Sequence, residues 1–399
     1  MDQGRRREGA LGVLAVHQGR ASAAGVQGHA NAEHALRVGL DGDGRVDVRH
    51  EVLRPFSRAE RLARTRLDRA GGRDLGPLRW ALARARAGRQ VLAAAEHDPA
   101  VDVAHVTTHV VALSSSRLLT RLPAVLSVDV GVGPWQRLLR GLPPDADVPV
   151  DVRPLLTLER RVLRAARAVQ AWTQTVADEL REAAPGARVV ALHPGVDLQR
   201  WRPDPAARRG DGPVRVLFVG GRFEAKGGPE LLEALGPRLG ADVHLDLVTP
   251  ADVPAREGVA VHRLSGGSPE LRALFAGADV FCLPTRADAV PWVVLEAMAS
   301  GVPVVAGDVG SVAEMVGVRD HRPGARAAGA VVEPGDVAGL RAALDALVDD
   351  PSRRRALGET ARARCESFYD LRRSGDALVD LLHDVARPAG GLTRGAVAA

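Results

Sequence analysis

Short apolar runs alternate with longer stretches of helical spacing along most of the chain. In the first half, Ala10 to Val16 predicts a strand and Asn31 to Leu40 a helix. Val101 to Val106 and Ala124 to Val128 predict two further strands. Leu155 to Val169 reads as a helix with Leu155, Leu158, Val162, Leu163 and Ala166 on one face. A short strand at Val169 to Thr173, a helix at Thr175 to Ala183 and a strand at Val189 to Leu192 complete this half. Arg200 to Pro213 then carries prolines, glycines and mixed charge without apolar periodicity, which marks a linker. A second series follows. It has strands at Val214 to Val219, His244 to Val248, Val280 to Leu283 and Val302 to Ala306. Between them lie helices at Leu231 to Leu239, Ser268 to Ala276 and Trp292 to Ala299, and Val337 to Asp384 is mostly helical. Such alternation predicts two tandem doubly wound α/β domains with parallel sheets.

Composition narrows the classes. A length of 399 residues suits two domains, and 46% hydrophobic content supports sizeable cores. No apolar run is long enough to span a bilayer. The start, Arg5 to Val16, imitates a signal peptide, but its apolar stretch is short and runs into His17 and Arg20, so it reads as a first buried strand. Two cysteines, Cys282 and Cys365, make no disulfide framework, and a reducing cytoplasm is the expected setting. The net charge is only +5, and the basic residues are arginines with the single exception of Lys226. No zinc-finger spacing or aromatic-rich RNA motif accompanies them, so no nucleic-acid partner is expected. One segment is strongly basic. Arg54 to Gln90 holds eleven arginines against Glu60, Asp68 and Asp74, a local charge near +8, with leucines interleaved. It reads either as a solvated helical face or as a surface for anionic lipid or a lipid-linked molecule.

Two strings carry chemistry. Val216-Leu-Phe-Val-Gly-Gly-Arg-Phe-Glu-Ala-Lys-Gly-Gly228 runs from an apolar strand into a glycine-rich turn and a helix. Backbone amides at such a turn approach phosphate oxygens, and the helix start favours negative charge. Gly220, Gly221, Arg222 and Lys226 are the candidate phosphate-binding residues. A compact ammonium suits a crowded phosphate better than a planar guanidinium. The string has neither the Walker A ending nor the Gly-x-Gly-x-x-Gly fingerprint. The second string runs from Phe281 to Ala306. Asp288 falls in the loop before its helix and Glu296 about one turn inside, eight residues apart. Amides from Val290 to Val294, with Val293 and Val294 foremost, offer another phosphate seat. A carboxylate one turn into a helix can accept two hydroxyl hydrogen bonds, as a ribose requires, and one in a loop can do the same for a sugar.

Taken together, the two strings resemble glycosyltransferase family 4, retaining enzymes of the GT-B fold that use nucleotide-sugar donors. Gly221 to Gly227 fits that family's Gly-Arg-x-x-x-Lys-Gly loop, and Val293 to Ala306 fits its Val-x-Leu-Glu-Ala-Met-Ala-x-Gly-x-Pro-Val-Val-Ala string. Pro194 to Asp197, Val309 to Glu314 and Glu333 to Asp336 are further echoes. The match covers residues 190 to 370 well and the first half loosely.

The resemblance implies a GT-B chain with an interdomain cleft. Residues 1–199 would be the acceptor domain and 200–370 the donor domain, with the helix at about 371–385 packing back on the first. It implies that Arg222 and Lys226 bind the donor diphosphate, Glu296 the ribose and Asp288 the transferred sugar. Asp288 stands where the family usually has glutamate, and Asp129 where many members carry a histidine facing the donor sugar. Gly19, with His17 and Gly25, lies in the loop where this family approaches the diphosphate. His105 and His109 are spaced as helical ligands but lack the glutamate of a zinc motif, and no acidic pair stands at a strand end of the second domain. No metal or other cofactor is expected. The expected function is transfer of a sugar to an acceptor hydroxyl, the acceptor being a glycan, a lipid-linked or a small molecule. Two alternatives are a 2-epimerase on the same fold and a non-catalytic nucleotide-sugar-binding partner of another transferase.

Overall fold

A computed structural model describes residues 9–19, 27–54, 56, 69–70, 73–74, 76–143, 145–204, 206–207, 212–320, 322 and 324–387. The chain forms two six-stranded sheets. The first contains β1 (Leu11–His17), β2 (Val46–Val52), β5 (Val103–Thr107), β6 (Ala124–Val128), β7 (Ala168–Ala171) and β8 (Val189–Ala191), in the order β2-β1-β5-β6-β7-β8. A small antiparallel ribbon, β3 (Arg69–Ala70) with β4 (Arg73–Asp74), stands outside it. The second sheet contains β9 (Val214–Val219), β10 (Val243–Val248), β11 (Val259–His262), β12 (Val280–Leu283), β13 (Val304–Gly307) and β14 (Gly329–Val332), in the order β11-β10-β9-β12-β13-β14. All pairings within both sheets are parallel. Helices cover both faces, as parallel sheets require.

Central strands such as β6, β9 and β12 coincide with the apolar runs that predict them. Two helices are shorter than expected. The run at Leu155 to Val169 splits into a helix, Arg153–Ala165, and β7, because Ala166 turns to an extended backbone. The helix expected to Leu239 ends at Leu235. Of the basic segment, residues 55, 57–68, 71–72 and 75 lie outside the described residues. In its described part, the helix Gly76–Ala95, Arg84 is buried rather than solvated. Its guanidinium donates to Arg54 O at 2.8 Å and lies over the Phe56 ring. Among the described residues no helix is long and apolar enough to cross a membrane. Cys282 and Cys365 are buried, separate thiols.

The chain crosses between the layers twice, at one place. After β8, Val196 N donates to Tyr369 O at 2.7 Å, and Leu371 N returns a bond to Val196 O at 3.2 Å. His193 packs there against Tyr369 and Trp292, with ring centroids 5.1 and 5.6 Å apart. Beyond this crossing the last helix, Leu371–Ala386, lies on the first sheet. Leu378, Val379, Leu382 and Val385 share a core with Val13, Leu36, Leu40, Val103 and Val125.

One face of the first sheet is polar near its carboxyl rim. His17, Thr107, Ser127 and Gln170 occupy one register row across β1, β5, β6 and β7, all buried. His17 Nε2 bonds His50 Nδ1 at 2.9 Å, and His50 in turn bonds Asp41 at 2.8 Å. His105 Nε2 meets Gln170 Oε1 at 2.9 Å. Burial, with nearby His50, His105 and Arg37, lowers the His17 pKa to about 3. Burial likewise lowers His105 to about 4, and burial beside Arg322 lowers His193 to about 3. These three rings stay neutral in the folded chain but bind protons near pH 6.5 once unfolded. Their stabilisation is complete above that pH and is lost as pH falls toward 4 and then 3. Unfolding should therefore take up about three protons in this window, a slope of about 4 kcal/mol per pH unit. Urea unfolding at pH 7.5, 6 and 5 measures it, and a flat profile would refute the buried neutral rings.

Candidate functional site

Strand order in the second sheet reverses between β9 and β12. At such a switch point the loops leaving the two strands diverge to opposite faces and open a crevice beyond their carboxyl ends. The loop after β9 holds Gly220 to Gly227, and the loop after β12 holds Pro284 to Pro291. They touch closely. Arg286 N donates to Ala225 O at 3.1 Å. Gly227 adopts φ +78°, and a Cβ there would overlap the Pro284 carbonyl, so this position needs glycine twice over. Gly220 is similarly confined, since an added Cβ would stand 2.8 Å from the Phe218 ring and 3.1 Å from Lys226 Cβ. Gly221 faces open space.

The closure brings Lys226 and Asp288 together. The Lys226 ammonium pairs with the Asp288 carboxylate and donates to Ala287 O at 3.3 Å. Their side chains are 18% and 21% exposed, so the pair remains reachable from the crevice. Asp288 also accepts from Ala289 N at 3.0 Å. Arg222 lies on the exposed rim of the same loop, and its guanidinium has no hydrogen bond or ion pair among the described residues. A further ion pair, Arg286 with Glu230, ties the second loop to the helix Gly228–Leu235 that the first loop opens.

The helix Trp292–Ala299 starts at the end of the second loop, with Pro291 as its cap. Val293 stands in its first turn, where an α-helix leaves amides unpaired by its own geometry. Val294 departs from the expectation. Its amide donates to Pro291 O at 3.0 Å, because the first turn closes tightly, and Pro291 has no N–H to offer. Glu296 lies inside this helix and is 6% exposed.

Gly19 and Asp129 stand on the carboxyl rim of the first sheet. Gly19 has φ +68° and sits against Leu53 O. Gly25, in the same loop, lies outside the described residues. Asp129 is half-buried in the bend after β6. Its neighbours Val130, Trp135 and Leu138 pack against the core cluster that joins Trp172 of the first half to the second sheet. No hydrogen bond or ion pair among the described residues joins Gly19 or Asp129 to the Lys226 loop. The two histidines four residues apart, His105 within β5 and His109 just after it, are engaged elsewhere. His105 holds Gln170, and His109 Nε2 lies 2.9 Å from Glu159, which accepts from Val132 N at 2.8 Å. Among the described residues no three His, Cys, Asp or Glu side chains are arranged to hold a metal ion.

Sequence reasoning did not give a role to Glu314 or Thr173. Glu314 accepts from Gln174 N at 2.8 Å and Thr175 N at 2.7 Å, and Ser311 bonds Thr173 at 2.7 Å. The string Val309 to Glu314 was the one available signal, and it said nothing of the partner.

The chain is similar to known glycosyltransferases. Residues 213–350 match the family Glycosyl transferases group 1. An MMP alpha-(1->4)-mannosyltransferase of Mycolicibacterium hassiacum is 36% identical over 187 residues, 44% of this chain and 43% of its own. A GDP-mannose-dependent alpha-(1-6)-phosphatidylinositol monomannoside mannosyltransferase of Mycolicibacterium smegmatis is 35% identical over 225 residues, 50% and 57% of the two chains. The chain thus spans about half the length of the curated relatives it matches. Solved structures extend the likeness in fold to nearly the whole chain. A sucrose-phosphate synthase from Thermosynechococcus elongatus superposes with a TM-score of 0.71 at 17% identity, covering 94% of this chain and 98% of that one. A UDP-forming trehalose-phosphate synthase from Burkholderia xenovorans gives 0.64 at 16% identity, covering 95% and 100%. The chain has the GT-B fold, and its segment 213–350, which carries the paired Lys226 and Asp288 loops, belongs to the group 1, or family 4, glycosyltransferases.

Proposed function

We propose that this chain is a glycosyltransferase that moves a hexose from a nucleotide diphosphate-sugar to an acceptor hydroxyl, with retention at the anomeric carbon. The observation that carries the reading is the meeting of Lys226 and Asp288 at the strand-order reversal, where an anion seat and a hydroxyl acceptor stand side by side. Residues 200–370 would hold the donor and residues 1–199 the acceptor, with Gly19 and Asp129 on the facing rim.

In this reading the diphosphate replaces Asp288 as the partner of Lys226. Arg222, without a partner among the described residues, adds a second cation, and the Val293 amide at the helix start adds a donor. Glu296 accepts from the ribose hydroxyls. Asp288, released from Lys226, accepts from a sugar hydroxyl. The bond from the anomeric carbon to the phosphate oxygen breaks with its electron pair going to the phosphate, and the acceptor oxygen bonds the same carbon. The acceptor proton passes to the departing phosphate, so no enzymic base is required. Lys226 and Arg222 stabilise the charge that develops there, in place of a metal. The relatives' names direct a donor panel to GDP-mannose first. The chain would work in the cytoplasm, and the arginines of Arg54 to Gln90 would bring it to the inner membrane surface, where a lipid-linked acceptor would lie.

Lys226→Ala should cut turnover by a factor that reflects about 2–4 kcal/mol of lost transition-state stabilisation, with the fold intact. Asp288→Asn should act in the opposite sense on the free nucleotide. Without the competing carboxylate, nucleoside diphosphate should bind about tenfold more tightly while donor use falls. Calorimetric titration beside initial rates on a donor panel decides both, and weaker nucleotide binding by Asp288→Asn would remove the pair from the diphosphate seat. If nucleotide binds and no donor is turned over, the chain is a binding partner rather than a transferase.

Activity should persist in excess EDTA. Loss on chelation with recovery on adding Mg²⁺ or Mn²⁺ would show that the two cations do not suffice.

The basic segment should draw the protein to anionic vesicles, and added salt should release it, since each basic residue contributes about 1 kcal/mol that salt screens. Co-sedimentation with neutral and anionic liposomes at low and high salt tests this, and equal recovery throughout would leave an ordinary solvated surface.

A further inference from the structure

We propose that Glu314 is a positioning residue. It docks the helix Gln174–Ala183 of the first domain onto the second, and through Ser311 and Gly310 that docking fixes where the Asp288 loop stands. The role of Asp288 rests on the functional reading above, whereas the docking does not.

The helix Gln174–Ala183 begins with Thr173, whose hydroxyl accepts from Val176 N at 3.2 Å. Its first amides have no partner within the helix. Both are taken by one carboxylate from the other domain. Glu314 Oε1 accepts from Gln174 N at 2.8 Å, and Oε2 accepts from Thr175 N and Thr175 Oγ1, each at 2.7 Å. Glu314 is 7% exposed, and the positive end of the helix dipole faces it, so these are charge-assisted bonds sheltered from water. One turn earlier, Ser311 Oγ and Thr173 Oγ1 stand 2.7 Å apart, both buried. The docking thus runs through the first turn of one short helix, Val312–Val316, and its cap Ser311.

That helix does not move alone. The buried Arg364 guanidinium donates to Glu314 O at 2.6 Å and Met315 O at 2.7 Å, and it pairs with Asp320. On the other side, Ser311 N donates to Ala289 O at 3.0 Å. Gly310, at φ +52°, lies so near the loop that an added Cβ would stand 2.5 Å from Asp288 O and 2.7 Å from Ala289 O. A shift of the turn that carries Glu314 is therefore passed to the Asp288 peptide through Ser311 N and Gly310. The path from the first domain's helix to the Lys226–Asp288 pair consists of hydrogen bonds and one close backbone contact, carried by the short turn 308–311 between β13 and the helix Val312–Val316.

The test compares Glu314→Ala, Glu314→Gln and Thr175→Val with the unaltered chain. Small-angle scattering reads the domain arrangement. Hydrogen exchange reads the peptides spanning 284–291. Steady-state rates with the best donor, and calorimetry with GDP and UDP, read function. Glu314→Ala should raise the radius of gyration by about 1 Å from the ~21 Å expected of a compact chain this long. It should speed exchange in 284–291 and lower kcat about tenfold or more, while GDP or UDP affinity stays within about twofold. Glu314→Gln keeps one acceptor oxygen and should fall between. Thr175→Val removes only one hydroxyl and should shift the same readouts less, which keeps the test open if Glu314→Ala fails to fold. An unchanged radius of gyration, or an opened chain whose 284–291 exchange is unaltered, would overturn the proposal. So would a nucleotide affinity that falls in step with kcat. If the unaltered chain turns over no donor, the functional reading fails, and scattering with hydrogen exchange still decides the docking.

Discussion

A lone ammonium held against a carboxylate, at the point where the second sheet reverses its strand order, constrains much of what surrounds it. Both groups are partly sheltered, and each would be costly to leave unpaired there. Meeting requires the loops after β9 and β12 to approach to backbone contact. That approach demands glycine at 227, the Arg286 amide on Ala225 O, and a Thr285 side chain buried between them. The pairing is also a store of readiness. Neutral as a pair, the two groups expose a free cation only when they separate, so the arrangement favours a ligand that offers an anion for one and a hydroxyl for the other.

How much of this could be read from residues alone differs from place to place. The strands β6, β9 and β12 and the helix Trp292–Ala299 are legible because they are largely buried and written mostly in apolar residues, interrupted only by Ser127, Arg215 and Glu296. The edge strands are not. Val46–Val52 alternates charge with valine, while Val259–His262 and Gly329–Val332 are short and half-exposed, so their pairing is decided by neighbours and not by their own pattern. The polar row His17, Thr107, Ser127 and Gln170 illustrates the opposite error, since polar residues in a strand read as solvent-facing and here are buried. Arg84 is illegible for the same reason.

The candidate site divides along similar lines. Lys226, Arg222, Asp288 and Glu296 stand out as residue types in characteristic local strings. That Lys226 and Asp288 touch is a property of two loops 62 positions apart, and no local pattern encodes it. Glu314 is harder still. Its role depends on a helix start in the other domain, 139 positions earlier, and a glutamate near a short helix has many commoner explanations.

The last helix has a bearing on how the chain is made. Leu371–Ala386 supplies one wall of the first domain's core, yet the entire second domain precedes it in the sequence. A ribosome adding about 5–20 residues per second needs roughly 10–40 s to travel from the end of the first sheet to that helix. Throughout that interval Val13, Val103 and Val125 lack their covering layer. The second domain, continuous in sequence, is free to complete its own core first. Maturation of the first domain is therefore an assembly step performed on an already folded neighbour, and the nascent chain carries an uncovered apolar sheet until the final helix arrives.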